Sequence, residues 1–133
     1  MRTSRLNPAT VASPIGSYSH AVRVETADCV WIYVSGQIAL DTEGDLVGVG
    51  DLRAQTEQVF ENLAQVLAAN DATFEHVVKI QTFFTTSEDL AGSREVRARY
   101  LPSEPPASTA VRVAALVVPE ALIEVDVVAA LPA

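Results

Sequence analysis

Hydrophobic and polar positions alternate most cleanly between Pro105 and Ala130, in PPASTAVRVAALVVPEALIEVDVVAA. The pattern predicts two strands around a short loop. In the first, Thr109, Val111 and Val113 point one way and Ser108, Ala110 and Arg112 the other, because successive strand side chains face opposite sides. In the second, Ile123, Val125 and Val127 share a face, with Glu124 and Asp126 opposite. Each strand thus has one apolar or β-branched face. The other faces carry a hydroxyl, a guanidinium and two carboxylates. Two explanations fit: an antiparallel pair with one side on a core and one in water, or a polar face that lines a cleft.

Upstream, residues 1–13 mix Arg, Ser, Thr and Pro without periodicity and read as an irregular arm. Pro14-Ile15-Gly16-Ser17 is turn chemistry. Tyr18–Val24 reads as a strand with Tyr18, His20 and Val22 on one face. Val30–Val34 (VWIYV) is strand-forming and too short for a helix. It runs into Ser35-Gly36-Gln37, where a glycine in a strand signals a bulge or a close backbone approach. Ile38–Leu40 continues it, Asp41–Asp45 turns, and Val47–Gly50 is a loop.

Asp51 can cap a helix in which Leu52, Val59, Phe60, Leu63, Val66 and Leu67 recur near helical spacing. Asn70 and Asp71 end it. Val77–Thr85 is a strand, with Val78, Ile80, Thr82 and Phe84 alternating. Ser87 can cap a second helix, with Glu88 and Asp89 in its first turn. Its middle is basic (Arg94, Arg97, Arg99), and it runs to about Tyr100, before Pro102. Ser103–Pro106 is a loop. The order strand, strand, helix, strand, helix, strand, strand predicts an α+β fold: a mixed sheet with both helices on one face. The other face would expose apolar residues, so the chain is expected to bury it in a homo-oligomer.

The length of 133 residues fits one domain, 1–133. Hydrophobic residues make up 49% and charged residues 20%, a globular composition. The net charge is −8 and the basic residues form no run, which argues against binding a phosphate backbone. The one cysteine, Cys29, rules out an intramolecular disulfide and suits a reducing compartment; its plain reading is a small buried hydrophobe. No apolar run approaches the ~20 residues that cross a bilayer, and the N-terminus lacks a signal-peptide core. The expected location is cytoplasmic, without a membrane partner. His20 and His76 have no third ligand at metal spacing, and no phosphate-binding glycine loop is present.

Several stretches taken together resemble one family. Pro14-Ile15-Gly16-Ser17-Tyr18-Ser19-His20-Ala21-Val22 is similar to its opening "IGPYSQAV", and Ser35-Gly36-Gln37-Ile38 to its "SGQI". Gln55, Asn62-Leu63 and Leu67-Ala68-Ala69 resemble "Q…NL…vLeaaG". Val77-Val78-Lys79 matches "VVK", and Pro106-Ala107 with Leu122-Ile123-Glu124-Val125 resembles "PAR…vEIeaiA". The family is RidA, also called YjgF, and the likeness runs from about Pro14 to Ala130.

The resemblance implies a chorismate-mutase-like fold, a homotrimer around a central barrel, and three clefts between subunits that take a small-molecule ligand. It implies hydrolysis of reactive enamines and imines to a keto acid and ammonia, with no metal or organic cofactor. The implied catalytic residue is Glu124, which positions or activates water; Tyr18 and Ser35 line the cleft. The arginine of "PAR", which pairs with the substrate carboxylate, is here Ser108, followed by Thr109. Ser17 replaces a proline, His20 a glutamine and Arg94 a frequent asparagine, and Leu116-Val117-Val118-Pro119 is one residue longer than the family's loop.

A guanidinium holds a carboxylate through two charge-assisted hydrogen bonds; a serine offers one neutral donor. Three readings therefore stay open. The chain is an imine or enamine hydrolase with another cation in place, Arg94 or Arg112. Or its cleft takes a substrate with no carboxylate there, held by Ser108 and Thr109. Or it is a non-catalytic trimeric binding module. Arg112 lies four residues from Ser108, roughly 13 Å along a strand, so on sequence it does not replace the arginine in place.

Overall fold

The computed structural model describes residues 1–133. Six strands form one sheet: β1 (Arg2–Leu6), β2 (Ala21–Glu25), β3 (Cys29–Gln37), β4 (Val77–Phe84), β5 (Ala107–Arg112) and β6 (Ile123–Pro132). Two helices, α1 (Leu52–Ala68) and α2 (Leu90–Tyr100), complete it, with a short 3-10 turn at Phe74–His76. The sheet order is β1-β2-β3-β6-β4-β5, antiparallel except for the parallel pair β4 and β5. This is the expected mixed sheet, with two helices.

The core lies between sheet and helices. Phe60, Leu63 and Leu67 of α1 meet Ile32 of β3, Ile80 of β4 and Ile123, Val125 and Val127 of β6, all essentially without solvent contact. Removing a large side chain from such a core costs about 2–5 kcal/mol, so this layer fixes the fold. Asp51 caps α1 as expected, its carboxylate accepting from the Ala54 N–H.

Three buried amides tie down the loops. Gln55 donates to the carbonyls of Gly48 and Glu120 and accepts from the Leu122 N–H. It thereby fixes the chain two residues before Glu124. Asn62 donates to the carbonyls of Ile38 and Leu40. Gln37 donates to Ser35 and to the His20 ring.

The structure corrects several expectations. Residues 2–6 are an edge strand paired to β2, with Arg2 also bridging to Glu25 at 2.7 Å; its side chains are mostly exposed and carry no apolar pattern. β2 begins at Ala21, leaving Tyr18 and His20 in the bend before it, and β3 ends at Gln37 rather than continuing to Leu40. Asp89, not Ser87, caps α2: its carboxylate accepts from Gly92, and its φ of 54° turns the chain sharply into the helix. A bulge between Val77 and Lys79 exposes Val78 and puts Val77 inside.

The largest correction concerns the last two strands. β5 and β6 are not neighbours; β4 lies between them. Ser108 pairs with Ile80 and Arg112 with Phe84, whereas Glu124 pairs with Phe83 and Asp126 with Gln81. Ser108 and Arg112 therefore face the helices, and Glu124 and Asp126 face the open side. On that open side Trp31 and Tyr33 are exposed.

Candidate functional site

Of the predicted site residues, Tyr18 and Glu124 line one cavity, Ser108 and Arg94 line another, and Ser35 and Thr109 line neither. The first, about 50 Å³, is lined by Tyr18, His20, Gly36, Glu124 and apolar residues such as Ile15 and Val117. Its wall is built by the segment before β2. The His20 ring bridges two elements: Nε2 donates to the Ala12 carbonyl at 2.7 Å, and Nδ1 accepts from Gln37 at 3.1 Å. Tyr18 stands edge-on to His20, and its hydroxyl accepts from the Ile15 N–H at 3.3 Å. Ser35 does not line this cavity; its hydroxyl donates to the Ser19 carbonyl at 2.6 Å, beside Tyr18.

Glu124 enters the same cavity across Gly36. A Cβ at residue 36 would stand 2.5 Å from the Glu124 carboxylate oxygen. The register of β3 against β6 also shifts between Val34 and Gln37. The register shift agrees with the expected irregularity at the glycine, and what approaches it closely is the Glu124 side chain. Partial burial raises the Glu124 pKa, and the Asp126 carboxylate adds to the rise. Asp126 is itself raised by burial, opposed by Lys79. Glu124 takes part in none of the chain's ion pairs. A half-desolvated carboxylate with a raised pKa, beside a tyrosine, suits proton transfer to and from water.

The second cavity, about 430 Å³, lies between β4–β5 and α2. Ser108, Thr82, Ser93, Arg94, Arg97 and Arg112 line it with apolar residues including Phe84 and Leu90. Arg97 reaches across from α2, donating to the Ser108 hydroxyl at 3.0 Å and to Thr82 at 3.4 Å. Burial lowers its pKa, but a guanidinium stays cationic at neutral pH. Thr109 lines neither cavity; it accepts from Lys79 on the open side.

The guanidinium that stands at Ser108 is that of Arg97, with Arg94 and Arg112, the two candidates named from sequence, lining the same cavity. The signal was present: Arg94 and Arg97 are three residues apart, hence on one helix face. The register bringing that face over Ser108 is a tertiary fact. No group of three or more His, Cys, Asp or Glu side chains is placed to hold a metal.

The chain is thus a small six-stranded mixed sheet with two helices, with Glu124 in one cavity and three arginines in another. Residues 9–131 match the family described as Endoribonuclease L-PSP, and the chain belongs to this family, which is the RidA or YjgF family. It is 44% identical over 102 residues to Protein DfrA of Myxococcus xanthus, covering 77% of this chain and 76% of that protein. It is 35% identical over 127 residues to the 3-aminoacrylate deaminase RutC of Acinetobacter baylyi, covering 92% and 93%. Among solved structures, the Rid-family protein YyfA of Yersinia pestis superimposes with a TM-score of 0.87 at 32% identity, covering 98% of this chain and 100% of that one. RidA from an Antarctic Psychrobacter gives 0.82 at 31%, covering 95% and 98%.

Proposed function

We propose that the protein hydrolyses small imines or enamines in clefts between the copies of a homotrimer. The observation that carries this is Glu124: a half-buried carboxylate with a raised pKa, held against Gly36 in a cavity it shares with Tyr18. The deaminase name of a relative 35% identical supports the reaction class.

Glu124 accepts a proton from a water as the water oxygen adds to the C=N carbon. That proton passes to the nitrogen, giving a carbinolamine; Glu124 then takes the hydroxyl proton and delivers it to the nitrogen as the C–N bond breaks, and a carbonyl compound and ammonia leave. The raised pKa makes the proton's return to nitrogen easier at near-neutral pH. Because Ser108 and Glu124 lie on opposite faces of one sheet, a substrate touching both must sit between two copies. One copy supplies Tyr18 and Glu124, its neighbour the β5 edge with Ser108. The exposed Trp31 and Tyr33 supply apolar area for such packing.

No helix is long and apolar enough to cross a membrane, and the lone cysteine suits a cytoplasmic setting. The net charge of −8 weighs against RNA as the substrate despite the family's description.

The test is ammonia release from 2-aminoacrylate and 2-iminopropionate by the wild type and Glu124→Gln. The expected result is wild-type turnover above buffer that Glu124→Gln abolishes. Tight ligand binding with no turnover would instead support a non-catalytic binding module.

A further inference from the structure

The helix-side cavity holds more positive charge than one carboxylate needs. Three of the chain's nine basic residues, Arg94, Arg97 and Arg112, line it, and no Asp or Glu does. None of the three takes part in an ion pair, although Arg2, Arg23 and Arg53 all do. In a chain of net charge −8 this is a local reversal of sign. Arg97 donates only to two hydroxyls, Ser108 and Thr82, which hold the guanidinium but leave its charge uncompensated. Arg94 and Arg112 are exposed and Arg97 half-buried, and unpaired cations gathered in one cleft attract anions. A monocarboxylate would pair with one guanidinium and leave two; a ligand with two carboxylates pairs with a second.

We propose that this cavity is a dicarboxylate site: Arg97, held by Ser108 and Thr82, grips one carboxylate, and Arg94 or Arg112 the other. Resting on the imine-hydrolase reading for this step alone, the preferred substrates are then imines of amino dicarboxylic acids, released as keto diacids. Arg97 thus sets specificity from α2, at the place where the resemblance expects an arginine on β5.

The experiment is calorimetric titration of the intact protein at low ionic strength with glutarate and with butyrate. Wild type, Arg97→Ala and Arg99→Ala are compared, Arg99 being on the same helix but outside the cavity. The melting temperature of each variant is checked first. The proposal expects glutarate to bind at least ~10-fold tighter than butyrate, and Arg97→Ala to lose about tenfold or more, as for a lost charge-assisted bond. Arg99→Ala should match wild type. Equal binding of the two ligands, or equal effects of the two substitutions, would overturn it. If Arg97→Ala does not fold, Arg97→Lys serves: it keeps the charge but not the fork, and glutarate binding at wild-type strength would count against the proposal. Arg97-dependent glutarate binding without hydrolysis of any imine would sink the hydrolase reading and leave this site standing. Imine turnover together with glutarate binding that is indifferent to Arg97 would do the reverse.

Discussion

The Arg97 guanidinium donates to the Ser108 hydroxyl at 3.0 Å, joining α2 to the edge strand β5. The bond fixes where a positive charge stands over the cavity. Ser108→Ala removes that tether while Thr82 still holds the guanidinium more distantly. Because Ser108 is exposed, the expected stability loss is about 1 kcal/mol or less. Anion binding should weaken several-fold, through a freer Arg97 rather than a lost charge. Denaturant melts and titration of the same preparation separate the two effects.

Gly36 and Glu124 form the second relationship that sequence and structure share. A side chain at residue 36 collides with the Glu124 carboxylate. Gly36→Ala is expected to cut imine turnover on the order of 100-fold, since a base displaced by about an ångström loses its alignment with water. The helix-side cavity lies on the other face, so glutarate binding should be unchanged. Steady-state kinetics beside calorimetry tests the contrast.

The pH dependence follows from Glu124 and Asp126. Both pKa values are raised, chiefly by burial. As a base, Glu124 must be ionised, so kcat should climb through an acid limb lying above the ordinary carboxylate pKa. Asp126→Asn removes the like charge beside Glu124 and should shift that limb to lower pH. Stability runs the other way. A carboxyl with a raised folded pKa contributes stability fully present below its unfolded pKa and lost as pH rises through the folded value. Glu124→Gln should therefore raise the melting temperature at pH 7 relative to wild type and leave it little changed at pH 4.

The open sheet face predicts assembly. Trp31 and Tyr33 lie exposed on adjacent outward positions of β3, with Val128 opposite Tyr33 on β6. Light scattering on a sizing column should give three chains per particle. Tyr33→Glu should lower that number by placing a charge in an apolar contact. A wild-type monomer at micromolar concentration would contradict it.

Much of the architecture was legible because helices and central strands write their burial into apolar spacing. Leu52–Leu67 and Ile123–Val127 did so. The edge strand Arg2–Leu6 did not, because backbone pairing and the Arg2–Glu25 ion pair hold it rather than buried apolar side chains. The site was half legible. Tyr18, Gly36 and Glu124 carry their meeting in motif order and in the meaning of a glycine within a strand. Arg97 does not: its role depends on how α2 is set against β5, and on β4 coming between β5 and β6. That same insertion splits Ser108 from Glu124, which the alternation alone could not reveal.

The proposed site is completed across two copies, Glu124 from one and Arg97 from its neighbour. The most direct measurement mixes Glu124→Gln and Arg97→Ala chains, unfolds and refolds them together, and assays hydrolysis of an imino dicarboxylate. Random mixing in equal amounts should restore about a quarter of wild-type activity, because that share of clefts draws an intact residue from each side of a cyclic trimer. Mixed assemblies no more active than the separate variants would contradict it.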